Sequence, residues 1–205
     1  PRMEIAALTG LTLFATVAAF TPGPNNVMLA SSGATFGFRR SVPHILGVIV
    51  GFGIMVLASG FGFAALLGTF PAIHAAMQMA GVVFLVYLAW KVGTAGRPAP
   101  GNRSTPLSFW QAAAFQLINP KGLTLIASIV AVFSSGPDNV SAEMRIWLPL
   151  LLILTTCSAC TWCLFGRMIG RLLKADIALR RFNIFMAVLL LLSLVPIFIG
   201  ADPLP

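Results

Sequence analysis

Apolar residues run along this chain in six long stretches, approximately 5–36, 42–70, 72–93, 107–133, 144–166 and 182–200, and the charges fall in the gaps between them. Runs of this length predict membrane-spanning helices, because about 20 residues rising 1.5 Å each cross a hydrocarbon core of roughly 30 Å. Turn-forming residues punctuate the pattern. Gly68 to Pro71 separates the second and third stretches, and Thr94–Pro106, rich in Pro, Gly and Arg, follows the third. Ser134-Ser135-Gly136-Pro137-Asp138-Asn139 lies between the fourth and fifth. The expected fold class is an all-α integral membrane protein of six spans, with the lipid bilayer as its solvent.

Loop charge orients these spans. The gaps after stretches one, three and five carry Arg39, Arg40, Lys91, Arg97, Arg103, Arg167, Arg171, Lys174, Arg180 and Arg181, whereas the other side carries only Arg2 and Arg145. The positive-inside rule puts the odd-numbered loops in the cytoplasm and both termini in the periplasm. Trp90, Trp110 and Trp147 fall near stretch ends, where interfacial aromatics are expected. Residues 1–93 and 107–205 then form two three-helix halves joined by a cytoplasmic linker, 94–106. Halves with an odd number of spans, if related, must be inverted in the membrane, a common transporter design.

The first stretch is too long for one straight helix. It holds no charge from Ile5 to Phe38, a length of roughly 50 Å as a helix. Thr21-Pro22-Gly23-Pro24-Asn25-Asn26 interrupts it near the middle, where the prolines remove N–H donors and clash with the preceding turn. The carbonyls of about Ala18 to Phe20 are expected to lose their helical partners, and the N–H groups of Asn25, Asn26 and Val27 to open a second half-helix. Asn119-Pro120-Lys121-Gly122 breaks the fourth stretch at a matching depth. Paired breaks in corresponding helices point to a transport site. Half-helix N–H groups suit a carboxylate and freed carbonyls suit an ammonium, so a small zwitterion fits both. Lys121, deep in its span, is expected to face a cavity or a partner, the alternative being that it snorkels to the interface. Tyr87, the only tyrosine, and Gln78 on the third span are further candidates for a cavity wall or for packing.

Composition agrees and excludes other classes. Hydrophobic residues are 58% and charged residues 9%, against about 25% charged in soluble domains, and the mean hydropathy is +0.94. No length is left for a soluble catalytic domain, so the chain is not expected to be an enzyme. The net charge of +8 sits in short loops without the basic, aromatic-interleaved surface of a nucleic-acid binder. A cleaved signal is disfavoured, because the apolar run continues past Phe20 and Glu4 offsets Arg2. Cys157, Cys160 and Cys163 read as packing residues, since helical geometry turns the third away from the first two. No cofactor or metal site is expected. His44, close to Arg40, reads as structural. Gly47-x-x-x-Gly51 and Gly166-x-x-x-Gly170 permit close helix contact, within the protomer or across a homodimer.

The element Phe20-Thr21-Pro22-Gly23-Pro24-Asn25-Asn26, the Gly-rich second stretch, Gly81 to Leu88 and Asn119-Pro120-Lys121 together resemble the LysE/RhtB family of amino-acid exporters. The resemblance covers about residues 3–200. It implies six spans in inverted repeats and efflux of amino acids or their derivatives across the bacterial inner membrane, with coupling to the proton motive force. One departure matters. Where many members carry an acid after a G-x-x-x-G, this chain has Phe52, and no Asp or Glu lies in any predicted span. The expected cargo is therefore a neutral amino acid or derivative. A metal cation or other small solute on the same scaffold is the alternative.

Overall fold

A computed structural model describes residues 5–62, 69–95, 105–136, 139–173 and 175–195. Its helices are α1 (Ile5–Phe20), α2 (Pro24–Phe36), α3 (Phe38–Gly60), α4 (Pro71–Gly93), α5 (Phe109–Ile118), α6 (Pro120–Phe133), α7 (Val140–Leu172) and α8 (Asp176–Leu192). Both predicted breaks are real bends. α1 and α2 meet at 49°, and α5 and α6 at 54°. In each case a proline opens the second half-helix at a position that needs no N–H partner. Among the described residues, three single helices are long and apolar enough to cross a membrane, or up to five spans if each bent pair is one. The predicted sixth stretch overlaps α8, but its end lies outside the described residues. So do most of the 94–106 linker and residues 1–4.

Polar and apolar residues are distributed inside out relative to a water-soluble protein. Leu46, Val50, Ile54 and Leu57 form an exposed stripe at helical spacing on α3. Asn26, Ser31, Ser32, Thr35, His44, Gln116, Asn119, Ser158 and Asn183 are buried. Such a distribution suits a hydrocarbon solvent, which accepts the stripe and excludes the amides. The protein is an integral, multi-pass, helical membrane protein.

Two glycine seams set the packing at the end that carries Arg39, Arg40, Lys91, Arg167 and Arg171, hereafter the basic end. α2 and α7 run side by side so closely that a Cβ on Gly166 would collide with the Ala30 carbonyl, and one on Gly33 with the Cys163 carbonyl. α3 and α5 meet similarly, with Gly47 against the Phe109 carbonyl and Gly51 against Ala113. Both G-x-x-x-G pairs thus serve contacts inside the protomer. At the opposite end, α1, α3, α6 and α7 share a core of larger side chains, including Leu11, Phe52, Met55, Ile126 and Trp147.

Three expectations are corrected. Trp147 is fully buried in that core instead of lying at an interface, because α7 begins at Val140 and carries it two turns inward. Trp90 and Trp110 are exposed as expected. α3 begins at Phe38 and α7 continues to Leu172, so Arg39, Arg40, Arg167 and Arg171 stand on helical turns, where a terminal cation such as Arg171 complements the helix dipole. Finally, the N–H of Val27 is not free, since it donates to the Gly23 carbonyl at 2.9 Å.

Candidate functional site

The two bends meet. Gly23 sits in extended backbone (φ −170°) and caps α2 without a side chain. Asn25, in the first turn of α2, exchanges two amide hydrogen bonds with Gln116 near the end of α5, at 2.7 and 3.0 Å. Lys121, in the first turn of α6, reaches the other way and donates from Nζ to the Thr21 carbonyl just past α1, at 2.7 Å. In each tie, the residue after a helix-opening proline grips the end of the opposite half-helix. The two broken helices are thereby bound to each other at the breaks.

Freed carbonyls were expected to await an ammonium, but side chains of the chain itself take several of them. Asn26 Nδ2 donates to the Ala19 and Thr21 carbonyls at 2.8 and 2.9 Å, and Ser158 Oγ of α7 donates to Ala19 at 2.6 Å. The helix starts also differ. Asn119 caps α6 by accepting from the Lys121 N–H at 3.2 Å, whereas α2 has no side-chain cap. The positive end of α2 therefore has no side-chain acceptor from its own cap.

A cavity of about 70 Å3, room for a few waters, lies among these groups. Gly23, Asn25, Asn26, Gln116, Asn119 and Lys121 line it together with Phe52 and Ser158. Lys121 is the only charged residue among the described residues of this wall, to which Phe52 adds an apolar ring. The cavity shares Ala18, Gly23, Pro24, Lys121 and Leu125 with a larger one of about 640 Å3 between α1 and α6, at the end opposite the basic loops.

The description "LysE type translocator" belongs to the family model that matches residues 16–200. The chain belongs to the LysE type translocator family. Relatives of this translocator include the cysteine/O-acetylserine efflux proteins of Escherichia coli K12, Escherichia coli O139:H28 (strain E24377A) and Shigella sonnei (strain Ss046). Each is 32% identical over 202 residues, which cover 96% of this chain and 100% of the relative. No solved structure matches. The translocator is a transporter and not an enzyme.

Of the residues predicted from sequence, the structure gathers Gly23, Pro24, Asn25, Asn26, Asn119 and Lys121 at the smaller cavity of the translocator. Pro22 and Pro120 line the larger one with Gln78. Thr21 contributes its carbonyl, while its hydroxyl bonds back to Val17 at 2.6 Å. Tyr87 is not brought to either: it is 44% exposed on α4, with its ring beside Phe84. Gln116 and Ser158 escaped the sequence reading. A lone polar residue in an apolar run was their only signal, and Ser and Gln commonly satisfy themselves within a helix.

Proposed function

We propose that this translocator exports small neutral amino acids or derivatives across the inner membrane, with cysteine and O-acylated serine as the first candidates. The basic end would face the cytoplasm, both termini the periplasm, and export would draw on the proton motive force. In this reading, residues 1–93 and 107–205 act as inverted repeats, with the two broken helices carrying the site between them. The observation that carries the reading is the charge balance at the breaks. One cation, Lys121, and one uncapped helix start meet in a cavity without any carboxylate, an environment that suits the carboxylate of a net-neutral substrate and disfavours a cationic one. The relatives named for cysteine and O-acetylserine efflux support the same substrate class. The substrate's ammonium would compete with Asn26 and Lys121 for the carbonyls of Ala19 and Thr21. A metal cation as cargo finds no support, since among the described residues no three His, Cys, Asp or Glu lie together.

The test is efflux from cells overproducing the chain, loaded with cysteine or O-acetylserine. Release should rise several-fold over the empty strain and return to background with Lys121→Gln at equal membrane content. Unchanged release of every neutral amino acid tried would rule the reading out.

A further inference from the structure

At the basic end lies a second chamber, of about 360 Å3, walled by α2, α3, α4 and the segment leading into α5. Its volume is in the range of small-molecule pockets, roughly 300–1,000 Å3. It shares no lining residue with either cavity at the helix breaks. The polar groups of its wall are Ser31, Ser32, His44, Lys91 and Thr105. Among the described lining residues, Lys91 brings the only formal charge and none is an acid. His44 is fully buried, and its Nδ1 lies 3.0 Å from the Ser32 hydroxyl, but its Nε2 has no partner. A buried ring nitrogen left unpaired costs about 1–3 kcal/mol. The Ser32–Nδ1 pair is compatible with either direction; in the tautomer in which Ser32 donates, Nε2 carries the ring's proton and is a donor awaiting an acceptor. Neighbouring polar groups are already committed: Asn183 of α8 accepts from Ser31 at 3.2 Å and donates to Thr35 and to the Ala95 carbonyl at 3.2 and 2.9 Å.

We propose that this chamber is a docking site for the carboxylate of a small α-amino acid, reached before the substrate arrives at the helix breaks. A carboxylate supplies what the chamber lacks: a negative charge for Lys91 and an acceptor for His44. Both lie on the basic end, where an exported solute arrives, so the proposal rests on the exporter reading above. Two anion sites in series, Lys91 and then Lys121, would let a substrate be concentrated at the basic end and transferred without crossing a cation-free stretch. The other titratable or charged groups on elements packed against α3 are Glu143, Arg145, Cys157, Cys160, Cys163, Arg167 and Arg171 of α7 and Lys121 of α6, while α2 and α5 contribute none.

Inverted membrane vesicles, which present the basic end outward, test this with labelled cysteine under reducing conditions. Cysteamine, which is cysteine without its carboxylate, is the control competitor. In the wild type, cysteamine should compete at least tenfold more weakly than alanine. Lys91→Gln and His44→Ala should each raise the half-saturating cysteine concentration about tenfold with the maximal rate within twofold, and Lys91→Arg should restore it. Lys121→Gln should instead remove the maximal rate. The chamber proposal is overturned by an unchanged half-saturation in Lys91→Gln. A fall in maximal rate that Lys91→Arg does not rescue also overturns it, by assigning Lys91 a structural role. An effect seen only with anionic lipids, and absent in phosphatidylcholine proteoliposomes, would assign the site to a lipid phosphate and reject the proposal. If wild-type vesicles take up no amino acid, the exporter reading has failed separately. Thermal stabilisation of the purified full chain by alanine, lost in Lys91→Gln, then still decides the chamber either way.

Discussion

Lys121 and Asn25 hold corresponding places, each one residue past a helix-opening proline, yet one carries a charge and the other an amide. The lysine side chain lies across Gly23, where an added Cβ would come within 2.6 Å of its Cδ. Gly23 has extended backbone that any residue adopts, so Gly23→Ala should leave α2 in place and push the ammonium off the Thr21 carbonyl. Transport should fall about tenfold, the effect of roughly 1.4 kcal/mol, with the thermal midpoint little changed. Unchanged transport would show that the lysine's position is unimportant. For the amide tie, Asn25→Ala or Gln116→Ala should each destabilise by about 1–3 kcal/mol, because the remaining amide loses a partner away from water. The double variant should cost less than the sum, which unfolding in detergent can measure.

At the scale of elements, the turn between α2 and α3 depends on Gly37, whose φ of 78° and ψ of 167° lie in a region open essentially to glycine alone. Gly37→Ala should lower stability by about 1–3 kcal/mol even though a Cβ there meets nothing within 4 Å. Gly166→Ala works by the opposite route. Its backbone is ordinary helix, but the Ala30 carbonyl occupies the space, so α7 must move off α2. A loss of about 1–3 kcal/mol, read as a lower thermal midpoint, is expected from such overpacking. If Gly166→Ala is as stable as wild type, the seam is looser than described. Element positions were legible in the sequence because apolar length and proline placement depend on local chemistry alone. The bends at Pro24 and Pro120 could be read for that reason. Partner choice was not legible: which helix Gly47 and Gly166 approach, and that Gln116 answers Asn25 across 91 residues, depend on how the helices fold together. Trp147 was misplaced because its depth follows from where α7 starts, and an apolar run does not mark its own first turn.

Over the whole molecule, the ends are unequal. The cavity at the breaks adjoins the large cavity between α1 and α6, while the glycine seams hold α2 against α7 and α3 against α5 toward the basic end. Among the described residues, the larger cavity thus lies on the side away from the basic loops. Ser128, in the wall of the large cavity, offers a probe. With the three native cysteines replaced, Ser128→Cys should react quickly with a membrane-impermeant maleimide added to intact cells, and slowly in inverted vesicles. The reverse preference would place the large cavity, or the termini, on the other side.

At the seams toward the basic end, glycine Cα atoms rest on carbonyl oxygens, with few interlocking side chains such as Leu29 beside them. Where two helices interlock through leucines and aromatics, parting them means drawing each side chain out of its socket and leaving holes behind. Here the facing surfaces are backbone whose hydrogen bonds run within each helix, and the side-chain bond that parting α2 from α7 would cost is the one Ser158 Oγ donates to Asn26 Oδ1 at 3.4 Å. Parting helices at such a seam would cost less than parting them at the interlocked core around Trp147.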